Sequence, residues 1–152
     1  MKKGFTLVEL LSVIVLLGII MAIAIPGIYK IRDKMNEKAL EAKVNTIETA
    51  AVSYVQSNSN LLKSRYGICD KDHENANCVC ESEDKCDYKF SITVKTLTSS
   101  GDLKKENTEN GTCEVLNPVD KTKCLDCVNI NISLSTKYKT ATAKLDLNTS
   151  GC

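Results

Sequence analysis

The sequence predicts an α+β protein: one long N-terminal α-helix, then a small disulfide-rich head with a few antiparallel strands. Three observations carry this. Residues 5–25, FTLVELLSVIVLLGIIMAIAI, are apolar almost throughout, and a striped apolar pattern continues to about Ser57. Near the C-terminus, two segments alternate apolar and polar residues with the period of a half-buried strand. All eight Cys fall within residues 69–152, a density suited to an oxidising compartment rather than a reducing cytosol.

Taken in order, residues 1–4, MKKG, are a short basic leader. Residues 5–25 would make a helix of about 31 Å, enough for a ~30 Å hydrocarbon core. Lys2 and Lys3 just before it orient the span with the leader in the cytoplasm and the rest outside. Pro26 lacks the backbone donor a helix interior needs, so it kinks or ends the span. The helical signal then resumes. Ile28, Ile31, Met35, Leu40, Val44, Ile47, Ala51 and Val55 recur at steps of three to five, with Lys30, Arg32, Glu37, Lys38 and Glu41 among those between them. Asn58-Ser59-Asn60 reads as the exit.

Residues 69–87 hold four Cys, seven acids and two Lys, and read as a cross-linked loop. Residues 90–103 admit two readings. Ser91 caps a short helix stopped at Gly101, or Phe90, Ile92 and Val94 alternate as a strand; the helix is preferred. Residues 113–127 form a turn-rich stretch around Asn117-Pro118. Val128, Ile130, Ile132 and Leu134 make one strand, and Ala141, Ala143, Leu145 and Leu147 another, joined near Ser135-Thr136-Lys137.

Composition narrows the function. Twenty basic against nineteen acidic residues leave a net charge of +1, which argues against a large basic nucleic-acid surface. With no Trp and two Phe, a base-stacking platform is disfavoured. No nucleophile–base pair, phosphate loop or paired carboxylates in an apolar setting stand out, so a non-enzyme without cofactor is expected.

The N-terminus admits three readings. It could be a plain anchor, or a secretory signal peptide cut after Ala24 in Ala22-Ile23-Ala24. Neither accounts for Glu9, since an acid within an apolar span costs roughly 2.5–3.5 kcal/mol and usually has a purpose. The third reading does. MKKGFTLVELLSVIVLLGIIMAIAIP resembles the N-terminus of a class III prepilin, the family of type IV pilins and of type II secretion and competence pseudopilins. The basic leader ending in Gly, the Phe, the Thr-Leu-Val-Glu, the apolar run and the Pro all stand at matching offsets. The likeness is close over about 26 residues and extends in architecture to about residue 57, but not into the Cys-rich part.

The resemblance implies roles. Gly4 precedes the cut made by a membrane prepilin peptidase, and Phe5 becomes the new N-terminus and is N-methylated. Glu9 neutralises the Phe5 amine of a neighbouring subunit, because two buried charges that pair cost far less than either alone. Gly18 and Pro26 bracket a segment that melts in the filament, although Gly18 could equally permit close helix contact and Pro26 could simply kink the membrane exit. The second half of the helix packs under a small sheet. The implied function is a filament subunit, held in the cytoplasmic membrane with its head outside, then polymerised by an ATPase and membrane platform. The alternatives are a pseudopilin for secretion or DNA uptake and, from a different class, a secreted disulfide-rich binding protein. DNA binding would need a basic patch on the head, for which Lys137, Lys139 and Lys144 are available.

Cys69, Cys78, Cys80, Cys86, Cys113, Cys124, Cys127 and Cys152 are read as structural disulfides stapling a thin core. The family's habit of closing a C-terminal loop suggests Cys152 bonded to Cys113, Cys124 or Cys127. As a CxxC, Cys124 and Cys127 could instead be a redox pair or half a zinc site, but no second CxxC exists. His73, the only His, reads as solvated. Asp70, Asp72 and Glu74 have calcium-like spacing, but Asn75 stands where an EF-hand needs Gly. No metal site is expected.

Overall fold

The computed structural model describes residues 6–66, 78–82, 85–106, 113–135 and 140–148. The expectations for Gly4, Phe5, Cys69, Cys152, Lys137, Lys139 and the Asp70–Asn75 stretch lie outside them. The elements are α1 (Leu7–Ser57), α2 (Ser59–Tyr66), β1 (Cys78–Ser82), β2 (Lys85–Thr93), α3 (Val94–Ser100), β3 (Asn129–Ser135) and β4 (Thr140–Asp146). The chain divides into two compact units, Met1–Lys38 and Ala39–Cys152, with the division inside α1.

In the first unit, every described residue from Leu7 onward is α-helical. Leu7, Val8, Leu10, Leu11, Val13 and Ile14 are all exposed, and consecutive positions cover the whole circumference. The most apolar 18-residue window has a mean hydropathy of 2.8, and the helix is long and apolar enough to cross a membrane. The helix runs through Gly18 and Pro26 without interruption. Pro26 offers no N–H, so the carbonyl of Ala22 lacks its usual partner in the helical ladder.

In the second unit, four strands form one antiparallel sheet in the order β1-β2-β3-β4. Alternation places Tyr88, Ile92, Ile130, Ile132, Leu134 and Leu145 in the core with Ile47, Ala51 and Val55 of α1. The helical residues recur every four positions, which keeps them on one face. Ile47, Val55, Val94, Leu97 and Ile130 are fully buried, each contributing about 1.5–3 kcal/mol. Glu48 reaches the outer strand β4, where its Oε1 accepts the Leu145 N–H at 2.9 Å.

Three local expectations need correction. The stretch read as a loop over residues 69–87 includes β1 and the start of β2, with Cys78, Cys80 and Cys86 buried in the core. These cysteines act as small apolar residues as well as cross-links. The stretch 90–103 is neither wholly helix nor wholly strand. β2 runs to Thr93, which is extended and takes the N-cap position expected for Ser91, and α3 follows. The first two N–H groups of α3 donate to Val128 O (3.2 Å) and Asp126 O (2.9 Å), so backbone replaces a side-chain cap. Gly101 ends α3 as expected, at φ 88°, a conformation costly for any residue with a Cβ. Finally, α1 ends at Ser57 but the chain re-enters a helix at Ser59, and α2 buries Leu62.

The connection after α3 is tied to α1 by one lysine. Lys43 Nζ donates to Leu116 O at 2.7 Å and pairs with Glu106 Oε1 at 2.6 Å. Glu106 Oε2 accepts the Leu116 N–H at 2.9 Å. Burial pushes the Glu106 carboxyl up, but Lys43 and the Leu116 N–H outweigh it and hold it below the ordinary 4.5. Nearby, Glu114 is held low by Lys105 at 2.7 Å and by the Thr98 hydroxyl.

Candidate functional site

The candidate site begins where α1 begins. Thr6 is the N-cap, and Glu9 is the third helical residue. The Thr6 N–H and hydroxyl both donate to Glu9 Oε2 at 2.9 Å, and the Glu9 N–H donates back to Thr6 Oγ1 at 3.3 Å. This is a capping box, in which each side chain satisfies the other residue's free backbone donor. The sequence signal was present in Thr6-Leu-Val-Glu9, a Thr and a Glu three apart before an apolar run. Sequence reasoning weighed Glu9 only as a charge and missed it. The box also reduces the cost of an acid in an apolar helix, since Oε2 carries two hydrogen bonds before any partner arrives. Oε1 accepts none among the described residues, so one oxygen remains for an incoming cation.

The neighbouring positions fit the same need to hide polar groups. The Ser12 hydroxyl donates to Val8 O and Glu9 O, both at 2.9 Å, and so presents no free donor. Gly18 and Gly27 have no atom within 4 Å of where a Cβ would sit. Nothing within the described chain therefore requires Gly at either place. Gly in a helix costs about 1 kcal/mol against Ala, and no contact among the described residues offsets that cost.

In the head, Cys80 bonds Cys86, and Cys113 bonds Cys124. Cys78 and Cys127 are also disulfide-bonded, through residues outside the described ones. Cys124 and Cys127 are thus not partners, and the reading of this CxxC as a redox pair fails. The Cys113–Cys124 bond also removes two of the three partners expected for Cys152. Cys113, Cys124 and Asp126 bring three potential ligand atoms within 4.8 Å of one another. Their sulfurs are spent in the disulfide, and both Asp126 oxygens accept backbone donors, from Val115 at 2.7 Å and Glu114 at 2.9 Å. Asp126 is therefore a loop anchor.

Residues 1–25 match the family model described as the prokaryotic N-terminal methylation motif. The chain is 41% identical over 56 residues to the type IV narrow pilus major component PilA5 of Thermus thermophilus, covering 36% of this chain and 48% of that protein. It is 28% identical over 67 residues to the type II secretion system core protein G of Klebsiella michiganensis, covering 44% and 47%. It is 25% identical over 79 residues to a ComG operon protein 3 homolog of Bacillus licheniformis, covering 52% and 81%. The chain thus spans about half the length of the first two relatives. No solved structure matches it.

Proposed function

We propose that this chain, which carries a prepilin-type N-terminus, is a structural subunit of a type IV pilus or pilus-like filament. The single observation that supports this best is the methylation motif over residues 1–25 opening an exposed, membrane-length apolar helix. A prepilin peptidase cuts after Gly4 and methylates Phe5, leaving residues 5–57 as the helix and 58–152 as the Cys-rich head. Cutting on the cytoplasmic side keeps the apolar helix on the mature protein. The chain sits in the cytoplasmic membrane with its head outside until an ATPase-driven platform extracts it.

In the filament, Glu9 Oε1 accepts the Phe5 amine of a neighbouring subunit while Oε2 keeps its own helix cap. Axial register follows, because only one stagger pairs the two charges. Gly18 and Pro26 are where the helix loosens on assembly. A pseudopilin of a secretion or DNA-uptake system is the second reading, favoured by the relatives from type II secretion and the ComG operon.

N-terminal mass analysis of the mature protein tests the proposal. A start at methylated Phe5 is expected, and a start at Ile25 would overturn it in favour of an ordinary signal peptide. Glu9→Ala is expected to insert and be cleaved, yet to give few filaments by electron microscopy.

A further inference from the structure

Cys78 and Cys127 are disulfide-bonded, but to neither of the pairs Cys80–Cys86 and Cys113–Cys124. Their partners lie outside the described residues, where the cysteines are Cys69 and Cys152. Two pairings remain. Either Cys127 bonds Cys152 and Cys78 bonds Cys69, or the two bonds are exchanged. Sheet register discriminates between them. Asp146, the last residue of β4, pairs with Asn129 of β3, which follows Cys127 by two residues. Cys127 is therefore within about 13 Å of Asp146, Cα to Cα. Cys78 lies on the far edge of the sheet, in the row Cys78-Tyr88-Leu134-Ala141. From Asp146 that is about 14 Å across the strands and about 17 Å along them, or about 22 Å on the diagonal. Residues 147–152 span at most about 20–22 Å when fully extended. They do not leave β4 extended. Leu147 and Asn148 turn, and the Asn148 N–H donates to Asp146 Oδ1 at 3.1 Å. Disulfide-bonded Cα atoms must approach within about 7 Å. The tail thus reaches Cys127 with slack. It would reach Cys78 only if pulled nearly straight across the sheet, to a side chain buried in the core. Cys69 sets no such limit, since residues 70–77 are ample to bring it to Cys78.

We propose that Cys69 bonds Cys78 and Cys127 bonds Cys152, so that the eight cysteines pair in chain order. Two covalent groups result. Residues 69–86 fasten β1 to the start of β2, and residues 113–152 fasten the turn-rich stretch and the C-terminal tail around β3 and β4. No disulfide joins the two groups, which are held together by the β2–β3 ladder and the shared core. The last bond ties the end of the chain beside the start of β3, so the tail after β4 is anchored at both ends. Each closure takes two electrons and two protons from a pair of thiols. A disulfide donor on the oxidising side accepts them and is reduced to a dithiol. The proposal goes beyond the filament reading and does not depend on it.

The test is trypsin digestion of the unreduced full chain in micelles, with free thiols first blocked by N-ethylmaleimide, followed by mass spectrometry. Cleavage after Lys and Arg divides each group into separate Cys-containing peptides. Two disulfide-linked products are expected. One holds residues 66–71, 72–85 and 86–89, and the other holds 106–121, 124–137 and 145–152. Fragmentation of the second product should place the C-terminal peptide on Cys127 and not on Cys124. A single product joining the two sets would reveal the exchanged pairing and overturn the proposal. Blocked thiols at Cys69, Cys78, Cys127 or Cys152 would overturn it equally. Cys152→Ser supplies an independent readout: one new thiol is expected, at Cys127, with the other three bonds intact. A new thiol at Cys78 instead would sink the proposal. The digest of the native chain decides the pairing even where that variant fails to accumulate.

Discussion

At Glu9 the two carboxylate oxygens stand in different situations: Oε2 is held by Thr6, and Oε1 has no partner among the described residues. Loss of an N-cap side chain costs typically about 1 kcal/mol. Thr6→Val removes the hydroxyl while keeping the shape, so the first turn of α1 should fray. Hydrogen exchange in micelles should show faster amide exchange at Glu9 and Leu10, whose N–H groups donate to Thr6, with Thr6→Ser close to native. Unchanged exchange in Thr6→Val would show that the box does not hold the helix start. Both the residues of the capping box and their three-residue spacing were legible in the sequence, but that spacing was overshadowed by the charge. A carboxylate in an apolar run invites a search for a distant cation, and the nearer partner, a hydroxyl three residues back, is easily passed over.

Among the elements, those with a strict period were readable. The later part of the α1 stripe, at Ile47, Ala51 and Val55, and β3, at Ile130, Ile132 and Leu134, bury the residues their period marks, whereas Ile28, Ile31 and Met35 are exposed and Leu147 lies exposed beyond the end of β4. β1 and β2 were obscured because their inward positions include cysteines and their neighbours are acids. Cys78, Cys80 and Cys86 carry the apolar alternation there. The tie between α1 and the later connection depended on long-range contact and could not be read from local pattern. Lys43→Met should cost about 1–2 kcal/mol in thermal unfolding, through loss of a charge-assisted hydrogen bond and an ion pair. Ile47→Ala, fully buried on the same helix, should cost about 2–5 kcal/mol. The carboxylates add a pH dependence with a definite sign. Glu106 and Glu114 are both held below 4.5 in the folded state. Their contribution is complete above that value and is lost as pH falls through the lower folded-state values. The melting temperature should therefore hold between about pH 7 and 5 and decline below about 4.5. Lys43→Met should lose the part of that decline owed to Glu106.

For the whole molecule, the division inside α1 separates two kinds of stability. The first unit is a single helix with its apolar side chains exposed, and the second has a small core and its cross-links. Loops of 6 and 11 residues are closed by the two described disulfides. By chain entropy these contribute about 2 and about 3 kcal/mol, against a typical total of 5–15 kcal/mol for a domain. Reduction in micelles should abolish the cooperative thermal transition of the head while far-ultraviolet helicity from residues 7–38 persists. A head that still melts cooperatively after complete reduction would show that its core suffices alone.

The Glu48–Leu145 hydrogen bond acquires a different weight once many identical heads stand side by side. An open strand edge is a template for pairing with another strand, and crowding favours such templating. β4 is such an edge, and here a helix carboxylate occupies one of its donors and sets a negative charge where an incoming strand would bring its carbonyls. A protein that polymerises through one surface must keep its others from polymerising too. In the proposed filament, Glu48 would turn a sticky border into a guarded one, so that growth through the helix would not compete with amyloid-like zippering between heads.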